Sequence, residues 1–280
     1  MEKSVFESAI ADFTRNVPEN YLAKEIALKP EMAGMQIYDD PIFGYAAASD
    51  PLFTQLKQPG IIGDHFMLPH AWLDSACTVI SVFLPYSRAV KEANGIDMSW
   101  PADEWLHARI EGHATQKKIY QHAVQLLEKE GFTVLVPTTD PRYSGRHPHV
   151  QDKNQQAYYT SNWSERHIAY VCGIGTFGLS RGLITAKGIA SRIFSLISNV
   201  DFEPTKRRYT KFDEYCIYCG ACVRNCPVNA ISLKNGKAHP PCSAFLDRVM
   251  EKCKPRYGCG KCQVKVPCVN GIPRRVGDSG

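Results

Sequence analysis

Cysteine is nearly absent from the first 215 residues: of eleven in the 280-residue chain, only Cys77 and Cys172 fall there. A disulfide framework through that region is therefore excluded, and both thiols, set in apolar surroundings, are read as buried structural groups. Nowhere do about 18 apolar residues run uninterrupted, which excludes a membrane-spanning helix. Residues 1–10 carry neither a basic stretch leading into an apolar one nor a twin arginine. A soluble, cytoplasmic protein with reduced thiols is expected. No H-E-x-x-H segment occurs, and no histidine stands beside a carboxylate at hydrolase spacing, so metal-assisted hydrolysis is set aside. With 44% hydrophobic residues the chain can still bury a sizeable core.

The other nine cysteines crowd into residues 216–268. Cys216, Cys219, Cys222 and Cys226, followed by Pro227, form a C-x2-C-x2-C-x3-C-P run. Three thiolates two residues apart wrap one [4Fe–4S] core, and the fourth, ahead of a chain-redirecting proline, serves a second. One run thus implies two clusters. The interlocking rule assigns Cys216, Cys219, Cys222 and Cys268 to one cluster, and Cys226, Cys242, Cys259 and Cys262 to the other. Cys253 is left over. Gly258 and Gly260 flank Cys259 where the backbone must bend tightly. A zinc ribbon or a disulfide framework is the alternative, but neither explains the Cys-Pro ending.

Charge follows the same division. The net +5 comes from 15 basic and 7 acidic residues over 201–280, against 18 and 21 over 1–200. Positive charge there compensates the thiolate clusters, or docks an acidic partner such as a ferredoxin, a flavodoxin or a nucleic acid.

Along the chain, residues 4–35 read as helical, with Pro18 ending one helix and starting another through Tyr21, Leu22 and Ile26. Runs at 42–48 and 78–84 read as buried strands. Ile119, Ala123, Leu126 and Leu127 are spaced as on a helix that ends at Gly131, with a strand over 132–136. Residues 137–162 lack periodicity and read as a long loop of the kind that forms part of a site. A helix over 163–172, a glycine turn and strands at 183–185 and 193–200 follow, and polar residues 201–213 read as a linker. Helix and strand alternate, as in an α/β layer fold.

Gly173-Ile174-Gly175-Thr176-Phe177-Gly178 matches G-x-G-x-x-G, but a dinucleotide site needs a strand before it and a helix after it. Here a helix enters and a strand leaves, so the segment reads instead as a backbone-lined turn against which a flat cofactor can pack. In the preceding loop Tyr158 and Tyr159 are candidates to deliver a proton near a reducing centre, with aromatic packing as the alternative. His147 and His149 read as surface residues of that loop.

On these residues the chain resembles the epoxyqueuosine reductases and the related reductive dehalogenases. The resemblance rests on Cys216 to Pro227, Cys242 and Gly258-Cys259-Gly260-Lys261-Cys262-Gln263. Upstream it takes in Phe43 to Ala48, Phe83-Leu84-Pro85-Tyr86, Glu165-Arg166-His167-Ile168-Ala169, the glycine segment and Leu183-Ile184-Thr185. It implies a nitroreductase-like α/β domain with a mixed sheet over 1–200 that holds cobalamin, joined to a two-cluster ferredoxin-like domain over 201–280. Gly173, Gly175, Thr176, Phe177 and Gly178 would pack against the corrin, Arg181 would offer a positive anchor, and Tyr158 or Tyr159 a proton. No D-x-H-x-x-G segment occurs, consistent with base-off binding. The chain departs from the family in having Tyr159 where epoxyqueuosine reductases carry an aspartate. It also has five residues between Cys262 and Cys268, and no terminal repeat module for tRNA. The expectation is an oxidoreductase passing electrons from a small carrier, ferredoxin or flavodoxin, through two clusters to a corrinoid, with a small molecule or tRNA as substrate. A non-catalytic electron donor and an RNA-modifying protein using the basic tail are the rivals.

Overall fold

β-branched and aromatic residues over Thr78–Pro85 (β2) and Ser191–Ser198 (β6) build the middle of the central sheet. They pair antiparallel from Thr78 opposite Ser198 to Pro85 opposite Ser191. Ile42–Ala47 (β1) adds on the other side of β2, and Val134–Leu135 (β3) adds to β6, giving the order β1-β2-β6-β3. The computed structural model describes residues 1–145 and 160–274. Every pairing in this sheet is antiparallel. The sheet is therefore antiparallel throughout rather than mixed, because strands that run the same way, such as β2 and β3, are kept apart by β6 between them.

Two helices cover one face. Lys3–Asn16 (α1) buries Phe6 and Ile10, and Asp103–Lys129 (α2) buries Trp105, Ala108, Ile119, Ala123 and Leu127. Together with Tyr45, Ile80, Val82, Leu84 and Phe194 they make the main core. Full burial of each such side chain contributes roughly 1.5–3 kcal/mol. α2 runs far beyond the expected stretch around residues 119–127 because polar residues share its buried face. Gln116 Nε2 donates to Ile193 O at 2.8 Å, and Thr115 Oγ1 donates to Glu19 O at 2.6 Å. Gly131 stops the helix with φ +84°.

The second helix expected after Pro18 does not form. Residues 18–32 make only three short 3-10 turns, and Leu22 N–H bonds to Met35 O while Gly34 N–H bonds to Leu22 O. Pro18 and Pro30 each lack the donor a continuous helix needs.

Glu165–Val171 (α3) leads through the glycine turn into Gly175–Phe177 (β4), which pairs with Leu183–Thr185 (β5). The helix-then-strand order read from the sequence is thus observed. Cys172 is buried beneath it, but Cys77 is exposed, contrary to expectation. It stands just ahead of β2, its N–H donating to Ser198 O and its Sγ to Ser75 O at 3.7 Å.

Residues 201–213 contain no helix or strand, yet they are strapped down rather than loose. Phe202 lies against Phe6 and Tyr45. Thr205 N–H donates to Tyr45 O at 2.9 Å, and Arg207 pairs with Asp50 at 2.7 Å. His239–Cys253 (α4) then lays Phe245 and Val249 on Leu106 of α2.

Candidate metal centre and adjoining cleft

Three of the tail cysteines stand around a single turn, since Gly220 at φ +70° reverses the chain and Ala221–Arg224 winds one helical turn. Cys216, Cys222 and Cys268 pack on Ile184, Ile189 and Val266. With Cys219 they line a small cavity, bounded on one side by Gly178, Leu179 and Ser180 of the β4–β5 turn. Burial and the neighbouring Cys216, Cys222 and Cys219 push the Cys268 thiol up to about 12. Cys268 therefore shares its surroundings with the first three cysteines although 46 residues separate it from Cys222.

The second group forms against α2. Burial raises the Cys259 thiol to about 12, with Cys262 and Cys242 adding to the rise, and raises Cys262, where Cys242 and Cys226 add. Cys226 Sγ accepts the Ala230 N–H at 3.2 Å. Cys262 also raises Cys222, so the two groups adjoin. Four thiols gathered this way cannot all ionise without a compensating cation, which is the charge that ligated iron supplies. Among the described residues no three His, Cys, Asp or Glu side chains gather as ligands of one ion. Thiols spread around a cavity suit a multi-iron core, whose ligands attach at separate corners. Cys253 packs with Cys259 on the apolar cluster of Leu106, Phe245 and Val249.

The backbone around Cys259 is built against a wall. Gly260 has φ +67°, and a Cβ there would overlap the indole of Trp105. Lys261 is fully buried and donates through Nζ to Asn94 O and Asn94 Oδ1, both at 2.7 Å. Asn94 Nδ2 donates in turn to Cys259 O at 2.9 Å. Desolvation lowers Lys261 to about 8. This network was not read from the sequence, where a lysine between two cysteines looks like a solvated charge.

Basic side chains adjoin the second group. Arg166 of α3 exposes surface, yet desolvation lowers its pKa against the pull of Cys262, and Arg109 and Arg181 lower it further. Lys237, in the strand Gly236–Lys237, is raised by Cys262 and Cys242 against its own desolvation. Desolvation lowers His239, and Lys237, Arg181 and Arg166 lower it further. Burial drives His167 down to about 3, which keeps it neutral, with its ring against Phe177. Glu165 opens α3 and accepts from Ser195 Oγ at 2.7 Å, while Trp163 Nε1 donates to Ser195 Oγ at 2.8 Å. Its Oε1 is buried with no hydrogen-bond partner among the described residues. Burial raises the carboxyl to about 8, so it carries a proton at neutral pH.

The glycine segment is placed differently from a cofactor platform at its start. A Cβ at Gly175 would overlap Ile184 O, and one at Gly173, where φ is +85°, would press on Thr205. Thr176 is fully buried and its Oγ1 accepts from Tyr215 N–H at 2.9 Å. Phe177 and Gly178 are half-buried and Arg181 is exposed, so these three keep accessible surface. Arg181 takes a left-handed backbone, φ +61°, and its carbonyl accepts from Arg166 Nη1 at 2.5 Å. Tyr158, Tyr159, His147 and His149 lie outside the described residues.

The grouping makes a separable prediction. Cys268→Ser is expected to lower iron from about eight to about four per chain, whereas Cys253→Ser leaves it unchanged. Iron and acid-labile sulfide assays on anaerobically reconstituted variants check this; equal losses in both would contradict the grouping.

Residues 209–232 match the 4Fe-4S binding domain family. No curated protein matches the sequence. Among solved structures, the epoxyqueuosine reductase of Streptococcus thermophilus superposes with a TM-score of 0.53 at 16% identity, over 99% of this chain and 68% of that one. The Bacillus subtilis epoxyqueuosine reductase gives 0.53 at 17% identity, over 97% and 67%. A catabolic reductive dehalogenase in complex with 3-bromo-4-hydroxybenzoic acid gives 0.52 at 12% identity, over 95% and 37%. The chain therefore has the fold shared by those reductases, carries a 4Fe–4S binding segment, and spans about two thirds of the length of the first two.

Proposed function

We propose that this protein is an iron–sulfur oxidoreductase that passes single electrons through two [4Fe–4S] clusters to a base-off corrinoid in the cleft, for reduction of an organic substrate. The observation that carries the reading is the pair of adjoining thiol groups, which meet where Cys262 acts on Cys222. Cys216, Cys219, Cys222 and Cys268 hold the outer cluster, because Cys219 is exposed there. Cys226, Cys242, Cys259 and Cys262 hold the inner one. Electrons enter at the outer cluster from a small acidic carrier, ferredoxin or flavodoxin, drawn by the basic residues of 201–280.

The accessible residues fit a flat cofactor at the cleft edge rather than along the whole glycine segment. Phe177, Gly178 and Arg181 would meet it, while Gly173, Gly175 and Thr176 act one layer behind by letting β4 lie close on β5 and on Thr205. A bound corrinoid supplies a low-valent cobalt centre. The chain itself holds Arg166 as a fixed positive charge and keeps His167 neutral and unavailable as a proton source, which leaves Tyr158 or Tyr159 as the candidates from sequence for proton delivery. Cobalamin supplied during reconstitution is expected to be retained stoichiometrically after desalting, with its absorption changing on reduction. Absence of binding with both clusters intact would remove the corrinoid from this reading.

A further inference from the structure

Lys261 stands between two cysteines of the inner group, Cys259 and Cys262, and exposes no surface to water. A lysine is rarely buried so completely, because its ammonium gives up its hydration. Here Nζ donates to Asn94 O and Asn94 Oδ1, both at 2.7 Å. Asn94 is itself fully buried and closes the short helix Arg88–Ala93. Its Oδ1 also accepts the Ala102 N–H at 3.1 Å, just ahead of α2, and its Nδ2 donates to Cys259 O at 2.9 Å. The ammonium is therefore fixed beside the Cys259 loop by a partner that is held on every side.

As a mere tie between the Asn94 turn and the cysteine loop, a neutral donor would serve without the desolvation cost of an ion. Among the described residues no carboxylate lies within ion-pair distance of Lys261. Asp97, which also acts on it, is exposed, and its Oδ1 accepts from Ser99 N–H and Oγ at 2.7 and 2.6 Å. The anion that matches the position of this charge is the cubane held by Cys259 and Cys262, at about −2. The outer group is surrounded differently. Leu179, Ile184, Ile189 and Val266 wall its cavity, and among the described residues no charged side chain lines it. Arg224 donates to Cys219 O at 3.2 Å, but from an exposed position where solvent screens it. The Tyr218 hydroxyl donates to Asp213, which sets a carboxylate on that side.

We infer that Lys261 tunes the inner cluster: its buried ammonium raises that cluster's reduction potential and so draws electrons inward from the outer one. This rests on the redox reading above and adds to it a residue that directs the flow. One electron from a reduced ferredoxin or flavodoxin takes a four-thiolate cubane from about −2 to about −3, with no bond made or broken. A cation in dry protein favours the more negative state and is screened far less than one in water. Net charge is among the factors that set a cluster's potential.

The test is a redox titration of the anaerobically reconstituted protein, reduced stepwise with dithionite through mediators and read by its paramagnetic signals. At a fixed potential, Lys261→Gln is expected to lower the reduced-to-oxidised ratio of one cluster at least about tenfold, a downward shift of about 59 mV, and to leave the other in place. The cluster that moves should be the one retained by Cys268→Ser. Lys261→Met, which removes the bonds to Asn94 as well as the charge, should show the same shift. Lys234→Gln, which removes an exposed lysine, should show none. No shift in Lys261→Gln, an equal shift of both clusters, or movement of the cluster that Cys268→Ser loses would each overturn the inference. So would a shift in Lys261→Met alone, which assigns the effect to the hydrogen bonds, or loss of the inner cluster from both variants, which makes Lys261 a structural tie. Iron content separates the two readings: full iron with unmoved potentials sinks the tuning role alone, while wild-type protein without iron sinks the redox reading.

Discussion

Alanine at Gly260 is expected to remove the inner cluster while sparing the outer one. The residue sits at φ +67°, where any Cβ costs roughly 1–2 kcal/mol. That Cβ would also overlap the Trp105 indole. Trp105 cannot yield, since it is 4% exposed and packs edge-on against Tyr86 with ring centroids 4.9 Å apart. Overpacking of this kind adds about 1–3 kcal/mol. The strain falls between Cys259 and Cys262, two of the four inner thiols, so their spacing is what gives. Gly220→Ala is the control, because Gly220 has nearly the same backbone, φ +70°, but its nearest neighbour is the mobile end of Arg224 at 3.4 Å. Iron is expected to fall to about four per chain in Gly260→Ala and to stay near eight in Gly220→Ala. Full iron and an unchanged melting temperature in Gly260→Ala would show that the Trp105 wall does not position Cys259.

Glu165→Gln is expected to stabilise the protein increasingly as pH rises. The folded carboxyl is raised to about 8 from an ordinary 4.5 by burial. Between those values the unfolded chain has released a proton that the folded chain still holds, so wild-type stability falls with rising pH at about 1.4 kcal/mol per unit. The contribution is fully present below pH 4.5 and lost by about pH 8. Glutamine keeps an acceptor for the Ser195 hydroxyl and has no proton to lose. The two proteins should therefore be of similar stability near pH 5, and the variant more stable by a few kcal/mol near pH 8. Denaturant unfolding of both across this range measures the difference directly. A difference that does not change with pH would mean that Glu165 ionises like a surface carboxylate.

The cysteine run was legible because its information is local: spacing within one turn dictates which thiols share a core. β2 and β6 were legible for a similar reason, as β-branched runs buried on both faces. α2 was only half legible, since Thr115, Gln116 and His107 occupy its buried side and break the apolar period. The sequence could not reveal that Glu165 is held neutral, because the cause is its burial in the folded chain, which outweighs the opposing hydrogen bond from Ser195, thirty residues away. The approach of Arg166 and Lys237 to Cys262 was equally hidden, since only folding brings those positions together. The glycine segment was found for what glycine permits, close approach, but the approaching groups are Ile184 and Thr205 as well as any ligand.

Metal analysis of anaerobically reconstituted protein tests the central claim most directly. Two cubanes held by interlocking thiols require about eight irons and eight labile sulfides per chain, with paramagnetic signals of two interacting four-iron centres on reduction. Zinc in place of iron, or iron that saturates near four with all eight cysteines intact, would contradict it.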